Sequence, residues 1–158
     1  MSTRFAVIIL AAGASRRFGF NKLVHPYEGR PMVEHILATF TETNVGQSII
    51  VIGGVYQQDL TTLLHDWPIW DICINARTAD GMGTSIAAGS KMLNEADGVF
   101  VCPGDMPRIR LSDIMETAEH FDGPTSICRP MFRGKPGHPV LFGQAHFARL
   151  QALDGDEG

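Results

Sequence analysis

Phe5-Ala-Val-Ile-Ile-Leu10 runs straight into Ala11-Ala-Gly-Ala-Ser-Arg-Arg-Phe-Gly-Phe-Asn-Lys22, and the reading of that junction sets the fold class. The first part is a continuous apolar run of strand length, as expected of a strand buried on both faces of a parallel sheet. Parallel strands need crossovers, and the rest of the chain alternates helical and strand patterns. From Met32 to Phe40, Val33, Ile36, Leu37 and Phe40 fall at helical spacing, with Pro31 suited to the first turn. Ser48 to Ile52 reads as a second strand, stopped by Gly53-Gly54, and Gln57 to His65 as a helix. A short strand follows at Ile69 to Ile74, then a helix from Ser85 to Leu93 entered through Gly81-Met-Gly-Thr84. Val99 to Cys102 is the next buried strand, ending at Pro103-Gly-Asp-Met-Pro107, and Leu111 to Phe121 the next helix. Thr125 to Cys128 and Pro139 to Phe142 are short strand candidates, and His146 to Leu153 suggests a last helix. The expected fold is therefore α/β, a three-layer α/β/α arrangement around a mostly parallel sheet, in one domain over residues 1–158.

Composition narrows the classes of function. Apolar residues make up 44% of the chain and charged residues 19%, enough to bury an ordinary core. A net charge of −4 with no Lys or Arg run gives no footprint for nucleic acid or an anionic membrane. The three cysteines, Cys73, Cys102 and Cys128, are far apart and form no C-x-x-C pair, so buried free thiols in a reducing compartment are expected. The apolar run at Phe5 is too short to span a bilayer and is followed at once by glycine and arginines, which no cleavable signal would have. A soluble, cytoplasmic protein is the expectation.

In open α/β sheets ligands lie beyond the carboxyl ends of the strands, and the unusual segments of this chain follow strands. After Leu10, the small residues Ala11, Ala12 and Gly13 let the backbone approach a ligand and turn N–H groups toward an anion. Arg17 and Lys22 then add positive charge, so the segment suits a triphosphate and its departing pyrophosphate. The alternative is a flexible turn carrying solvated basic residues. Neither G-x-x-x-x-G-K-[ST] nor G-x-G-x-x-G is present, which excludes a P-loop and leaves a dinucleotide fold unsupported. Asp105, at the end of a buried strand and flanked by Gly104, Pro103 and Pro107, suits Mg²⁺, which prefers one or two carboxylates plus substrate phosphates. Capping the following turn is the other role open to it. No G-x-S-x-G element or Cys/His pairing supplies a nucleophile, and transfer of a phosphorus group does not require one.

Taken in order, Leu10-Ala-Ala-Gly-x-Ser-x-Arg17-x-Gly19-x-x-Lys22, Gly81-Met-Gly-x-Ser85, Gly104-Asp105-Met-Pro107 and Gly137-His-Pro-Val-Leu-Phe142 resemble the molybdenum cofactor cytidylyltransferase family. That family lies within the molybdenum-cofactor nucleotidyltransferase-like group of the NTP-transferase superfamily. The resemblance runs from about Phe5 to the last residue. Its first motif is shared by many sugar-phosphate and isoprenoid nucleotidyltransferases, and Gly-His-Pro with Gly-Met-Gly-x-Ser narrows it. It implies a nucleotide-diphospho-sugar-transferase-like, Rossmann-like fold. It also implies a triphosphate held by Leu10, Ala11, Ala12, Gly13, Arg17 and Lys22, and base and ribose facing Gly81, Met82, Gly83 and Ser85. Gly104 would adjoin the nucleotide, and Asp105 and Asp156 (in Gly155-Asp-Glu-Gly158) would hold Mg²⁺. Ala12 in Leu-Ala-Ala-Gly goes with cytidine in that family, so the implied reaction moves CMP from CTP to the phosphate of molybdopterin or molybdenum cofactor and releases pyrophosphate. Arg17, Lys22 and Asp105 would be its catalytic residues, and a molybdoenzyme a possible recipient.

Relatives in that family continue beyond the Gly-Asp-x-Gly motif, so the domain is expected to be short at its C-terminus. His138 is either a substrate-facing ring at a strand entrance or a hydrogen-bonded structural histidine. Arg129, Arg133 and Lys135 form a sparse basic stretch that is either solvated or placed for an anionic acceptor; Arg133 and His138 are the acceptor-binding candidates. The remaining histidines show no metal-ligand spacing, so zinc is not expected. Two other readings stay open. One is the same transfer with GTP, or to a sugar or isoprenoid phosphate. The other is a non-catalytic chaperone for the molybdenum cofactor.

Overall fold

β1 (Phe5–Leu10) runs through the middle of the molecule, and its alternate side chains enter two separate cores. After it come the hairpin strands β2 (Pro26–Tyr27) and β3 (Arg30–Pro31), α1 (Met32–Thr41), β4 (Gln47–Ile52), α2 (Gln57–Leu64) and β5 (Asp71–Ile74). Then follow α3 (Met82–Ser90), β6 (Gly98–Pro103), α4 (Leu111–Glu119), β7 (Ile127–Cys128), the hairpin strands β8 (Met131–Phe132) and β9 (Lys135–Pro136), β10 (Val140–Gly143) and α5 (Phe147–Gln151). The computed structural model describes residues 2–15 and 17–156.

The main sheet has six strands in the order β5-β4-β1-β6-β10-β7. β5, β4, β1 and β6 are parallel neighbours, β10 pairs antiparallel with β6, and β7 antiparallel with β10. One core contains Val7 and Ile9 of β1 with Val33, Ile36, Leu37 and Phe40 of α1, Leu60 of α2 and Ile114 of α4. The other contains Ala6 and Ile8 with Ile49, Val51, Val99, Ile86 of α3 and Leu150 of α5. Helices thus cover both faces, and the continuous apolar run in β1 is the consequence: every residue in it has a helix layer to bury against. The three-layer, mainly parallel α/β expectation matches this structure.

The differences from expectation are local. α3 begins at Met82 and ends at Ser90, not at Ser85 and Leu93. The glycines around Met82 read as a loop, yet a helix start tolerates Gly83 when tertiary contacts fix it. Two hairpins went unread. Each turns on a residue followed by glycine, with positive φ at both: Glu28 and Gly29 at 47° and 88°, Arg133 and Gly134 at 49° and 76°. That is the two-residue turn whose twist matches the flanking strands. Among the described residues no helix is long and apolar enough to cross a membrane.

Candidate functional site

β1 and β6 end in register, Leu10 opposite Pro103. From β1 the chain moves to β4 and β5 on one side, whereas from β6 it moves to β10 and β7 on the other. Connections that part in this way leave a crevice beyond the strand ends, where ligands of open α/β sheets bind. A cavity of about 440 Å³ occupies it, lined by Ala12 to Ser15, Lys22, Gly81, Met82, Ser85, Asp105 and Asp156, with Leu10 and Pro103 beneath.

Each wall has a local cause. Among the described residues the backbone N–H groups of Ala12, Gly13, Ala14 and Ser15 have no protein acceptor, so they remain available to an anion. The Ala11 N–H is different: it donates to Val51 O at 2.8 Å and continues the sheet, and Ala11 is buried. Lys22 is aimed by its neighbour. The Asn21 Oδ1 accepts the Leu23 N–H at 3.1 Å, closing a small side-chain turn around residue 22. The Lys22 Nζ then donates to Asp105 Oδ2 at 2.6 Å and lies 5.3 Å from the centre of the Phe18 ring. Both partners keep about a third of their side-chain surface exposed (29% and 37%), so the pair contributes only about 1 kcal/mol and a ligand can open it.

Asp105 stands where it does because Gly104 permits a close approach. The Gly104 N–H donates to Leu10 O at 2.8 Å, and a Cβ there would come within 3.2 Å of that oxygen and 3.4 Å of Val33 Cγ2. Gly104 thus joins the exits of β1 and β6 and stands behind Asp105, outside the cavity lining.

The third wall is the start of α3, whose N-terminal dipole end faces the cavity through Met82 and Ser85. Buried Asn75, just past β5, fixes this turn. Its Nδ2 donates to Thr84 Oγ1 and Ser85 Oγ, both at 2.9 Å, and its Oδ1 accepts the Arg77 N–H at 2.8 Å. Gly83 is buried, and its N–H donates to Gly155 O at 2.9 Å; it supports the wall without lining it.

The expected cationic residues divide. Lys22 lines the cavity, whereas Arg17 is exposed and does not. Arg133 occupies the β8–β9 turn with its guanidinium 5.2 Å from the Phe132 ring, away from the cavity lining. Asp156 does reach the cavity. A neighbouring groove of about 830 Å³ begins at Met106 and is lined by Asp113, Arg129, Phe132, Gly137 and His138. The Arg129 guanidinium donates to Gly137 O at 3.1 and 3.2 Å, pinning the chain just before His138. Burial pushes the His138 pKa below its ordinary value, the Arg129 charge pushes the same way, and the Asp105 carboxylate opposes both. His138 and Asp105 therefore share an electrostatic neighbourhood although they line different hollows. Asn21, Asn75 and Phe18 escaped sequence reasoning. Only Asn75 carried a signal, as a lone amide directly after an apolar strand.

Asp105 and Asp156 offer a hard, all-oxygen donor pair on one cavity, which fits Mg²⁺ or Mn²⁺. Among the described residues no cluster of three or more His, Cys, Asp or Glu could cage a metal. A divalent ion held by one or two carboxylates and completed by substrate phosphates fits such a sparse set.

A crevice at a strand-order switch thus gathers open N–H groups, one lysine and two acids on one cavity. Residues 7–158 match the MobA-like NTP transferase domain, and the chain belongs to that nucleotidyltransferase family. It is similar to the bifunctional protein GlmU of Paramagnetospirillum magneticum, 29% identical over 90% of this chain and 31% of GlmU. It is also similar to the purine catabolism protein PucB of Bacillus subtilis, 26% identical over 96% of this chain and 76% of PucB. The chain thus spans about a third of the GlmU relative's length. Among solved structures, the Rv0371c homolog from Mycobacterium sp. strain JC1 superposes with a TM-score of 0.82 at 24% identity, over all of this chain and 79% of that one. The manganese complex of Rv0371c from Mycobacterium tuberculosis H37Rv gives 0.74 at 22% identity, over 98% and 78%. The 4-diphosphocytidyl-2C-methyl-D-erythritol synthase of Anaerococcus prevotii gives 0.72 at 15% identity, over 94% and 74%. These structures share the fold.

Proposed function

We propose that the chain is a divalent-metal-dependent cytidylyltransferase that moves CMP from CTP to the phosphate of a molybdopterin-type acceptor and releases pyrophosphate. The observation that carries the reading is the 2.6 Å contact of Lys22 with Asp105 at the mouth of a cavity that Asp156 also lines. In the reaction an acceptor phosphate oxygen attacks the α-phosphorus of CTP. The new P–O bond forms as the bond to the β-phosphate bridging oxygen breaks, and that oxygen leaves with pyrophosphate. The N–H groups of Ala12 to Ser15 and the start of α3 bind and orient the phosphates. Lys22 leaves Asp105 and neutralises charge on the departing pyrophosphate. Asp105 and Asp156 would hold Mg²⁺, which would supply charge neutralisation at the phosphates. Arg17, on the exposed part of the same loop, acts only if the loop folds over bound triphosphate. His138 and the groove beside it offer a place for the acceptor next to Asp105. Likeness of fold to the manganese complex of Rv0371c and to the 4-diphosphocytidyl-2C-methyl-D-erythritol synthase is in keeping with a divalent metal and a cytidine nucleotide.

The same synthase also favours a second reading, transfer to an isoprenoid or sugar phosphate. The deciding experiment measures pyrophosphate release with CTP, GTP, ATP and UTP against molybdopterin, methylerythritol phosphate and hexose 1-phosphates, with Mg²⁺ or Mn²⁺. Release with CTP and molybdopterin alone supports the first reading. Release with another pair replaces it, and tight molybdopterin binding without release supports a carrier.

A further inference from the structure

The chain after α5 doubles back across the entrance to α3, and the contact is tight. The Gly83 N–H donates to Gly155 O at 2.9 Å. Gly81 has φ of 119°, and a Cβ there would lie 2.4 Å from both the carbonyl carbon and the oxygen of Gly155. The segment is thus seated backbone on backbone, with no side chain between. One side chain ties it from outside. The Arg77 Nη2 donates to Asp154 Oδ1 at 2.9 Å while its Nε donates to Asp80 Oδ2 at 2.9 Å. The same Asp154 oxygen accepts the Gly155 N–H at 2.9 Å, so the ion pair also sets the turn into Gly155. The next residue is Asp156, which lines the cavity with Asp105; Arg77 and Asp154 do not line it.

A carboxylate ligand is useful to a metal only when its backbone is held. Backbone contact with Gly81 and Gly83 fixes the depth of the segment but gives no charge-specific anchor. The two-way guanidinium supplies one, joining the turn before α3 to the turn after α5. We infer that Arg77 is a positioning residue: by gripping Asp154 and Asp80 together, it keeps the Asp156 carboxylate on the cavity for a divalent cation. This rests on the nucleotidyltransferase reading above.

Binding of Mn²⁺ in the presence of CTP and without acceptor, read by electron paramagnetic resonance, tests it free of turnover. The pair is more than half exposed on both sides (60% and 68%), so its loss should weaken Mn²⁺ only about two- to fivefold. Arg77→Met and Asp154→Ala should each show that loss, and the double variant should lose no more than either alone. In an Asp156→Ala background Arg77→Met should have no further effect, which a merely structural role would not produce. Arg77→Lys should recover part of the affinity. Wild-type affinity in Arg77→Met, or an undiminished Arg77→Met effect without the Asp156 carboxylate, overturns the inference and leaves the proposed function intact. Wild-type protein that binds no Mn²⁺ with CTP overturns both.

Discussion

Lys22 Nζ and Asp105 Oδ2, 2.6 Å apart, join the loops that leave two adjacent parallel strands at the same level. The sheet brings them together across a sequence separation of 83 residues. The cation on Asp105 is therefore an internal one, in the place where the proposed chemistry requires an external one.

Replacing Asp105 with Ala should lower pyrophosphate release by about two to three orders of magnitude, the size of effect seen when a group meeting transition-state charge is removed. The fold should survive, because the carboxylate is only partly buried and its ion pair is weak. Circular dichroism and a melting curve check the second half of the statement. Undiminished metal-dependent turnover would remove Asp105 from the mechanism.

Lys22→Met should act in opposite directions on two ligands. With its ammonium gone, Asp105 loses a competing cation, and Mn²⁺ alone should bind about two- to fivefold tighter. CTP should bind about tenfold more weakly, having lost a charge-assisted contact to phosphate. Parallel calorimetric titrations separate the two, and weakening of both would mean that Lys22 only props the loop.

The layers of this fold were legible because their cause is local. An apolar run such as Phe5 to Leu10, six residues long and followed at once by a glycine-containing loop, is of strand length and too short for a buried helix, and Val33, Ile36, Leu37 and Phe40 share a face on a helix. The cavity was legible in part for the same reason: Asp105 stands just past such a strand, and Lys22 stands on the loop that leaves another. What stayed hidden depends on contacts between distant segments. Gly83 and Gly104 resemble ligand-facing glycines, yet one gives its N–H to the tail and the other to β1. Arg17 and Arg133 carry charge toward phosphate in sequence, but a side chain's direction is set by the turn it stands on, and the β8–β9 hairpin holds Arg133 against Phe132. The Arg77 tie joins residues 77 apart, beyond any spacing rule.

Gly81→Ala should be more costly than its exposed surroundings suggest. A positive φ strains any L side chain, and the added methyl would meet the Gly155 backbone at 2.4 Å, where nothing flexible can yield. A loss of about 1–3 kcal/mol is expected from strain of this kind, seen as a lower denaturant midpoint. Limited proteolysis should cut after α5 sooner than in the parent. Unchanged stability together with unchanged protection would mean that the tail does not rest on Gly81.

The three thiols should differ in reactivity toward iodoacetamide near pH 8. Cys102 is fully buried, and burial, with the Asp105 charge behind it, pushes its pKa far up. Burial raises Cys73 too, and burial with the Asp122 charge raises Cys128, but of the three thiols Cys128 alone is partly exposed and should label first. Peptide mass spectrometry over a time course should show Cys102 modified last, at the rate of unfolding. Equal labelling of Cys102 and Cys128 would contradict the packing of β6 beneath the cavity.

His138 should titrate below the ordinary histidine value near 6.5, and two neighbours should move it in opposite senses. Burial and the Arg129 charge disfavour its proton, so Arg129→Gln should raise the pKa; the Asp105 carboxylate favours it, so Asp105→Asn should lower the pKa further. Because the folded chain takes up this proton less readily than the unfolded one, the residue costs no stability well above pH 6.5. The cost appears as pH falls through 6.5 and is complete below the depressed folded value. Between pH 7 and 5 the stability of the parent should therefore fall more than that of His138→Gln. Imidazole proton resonances followed by nuclear magnetic resonance give the three pKa values directly. If Asp105→Asn leaves His138 unmoved, then the groove of His138 and the cavity of Lys22 are electrically separate, and an acceptor bound at His138 would lie too far from Asp105 to react there.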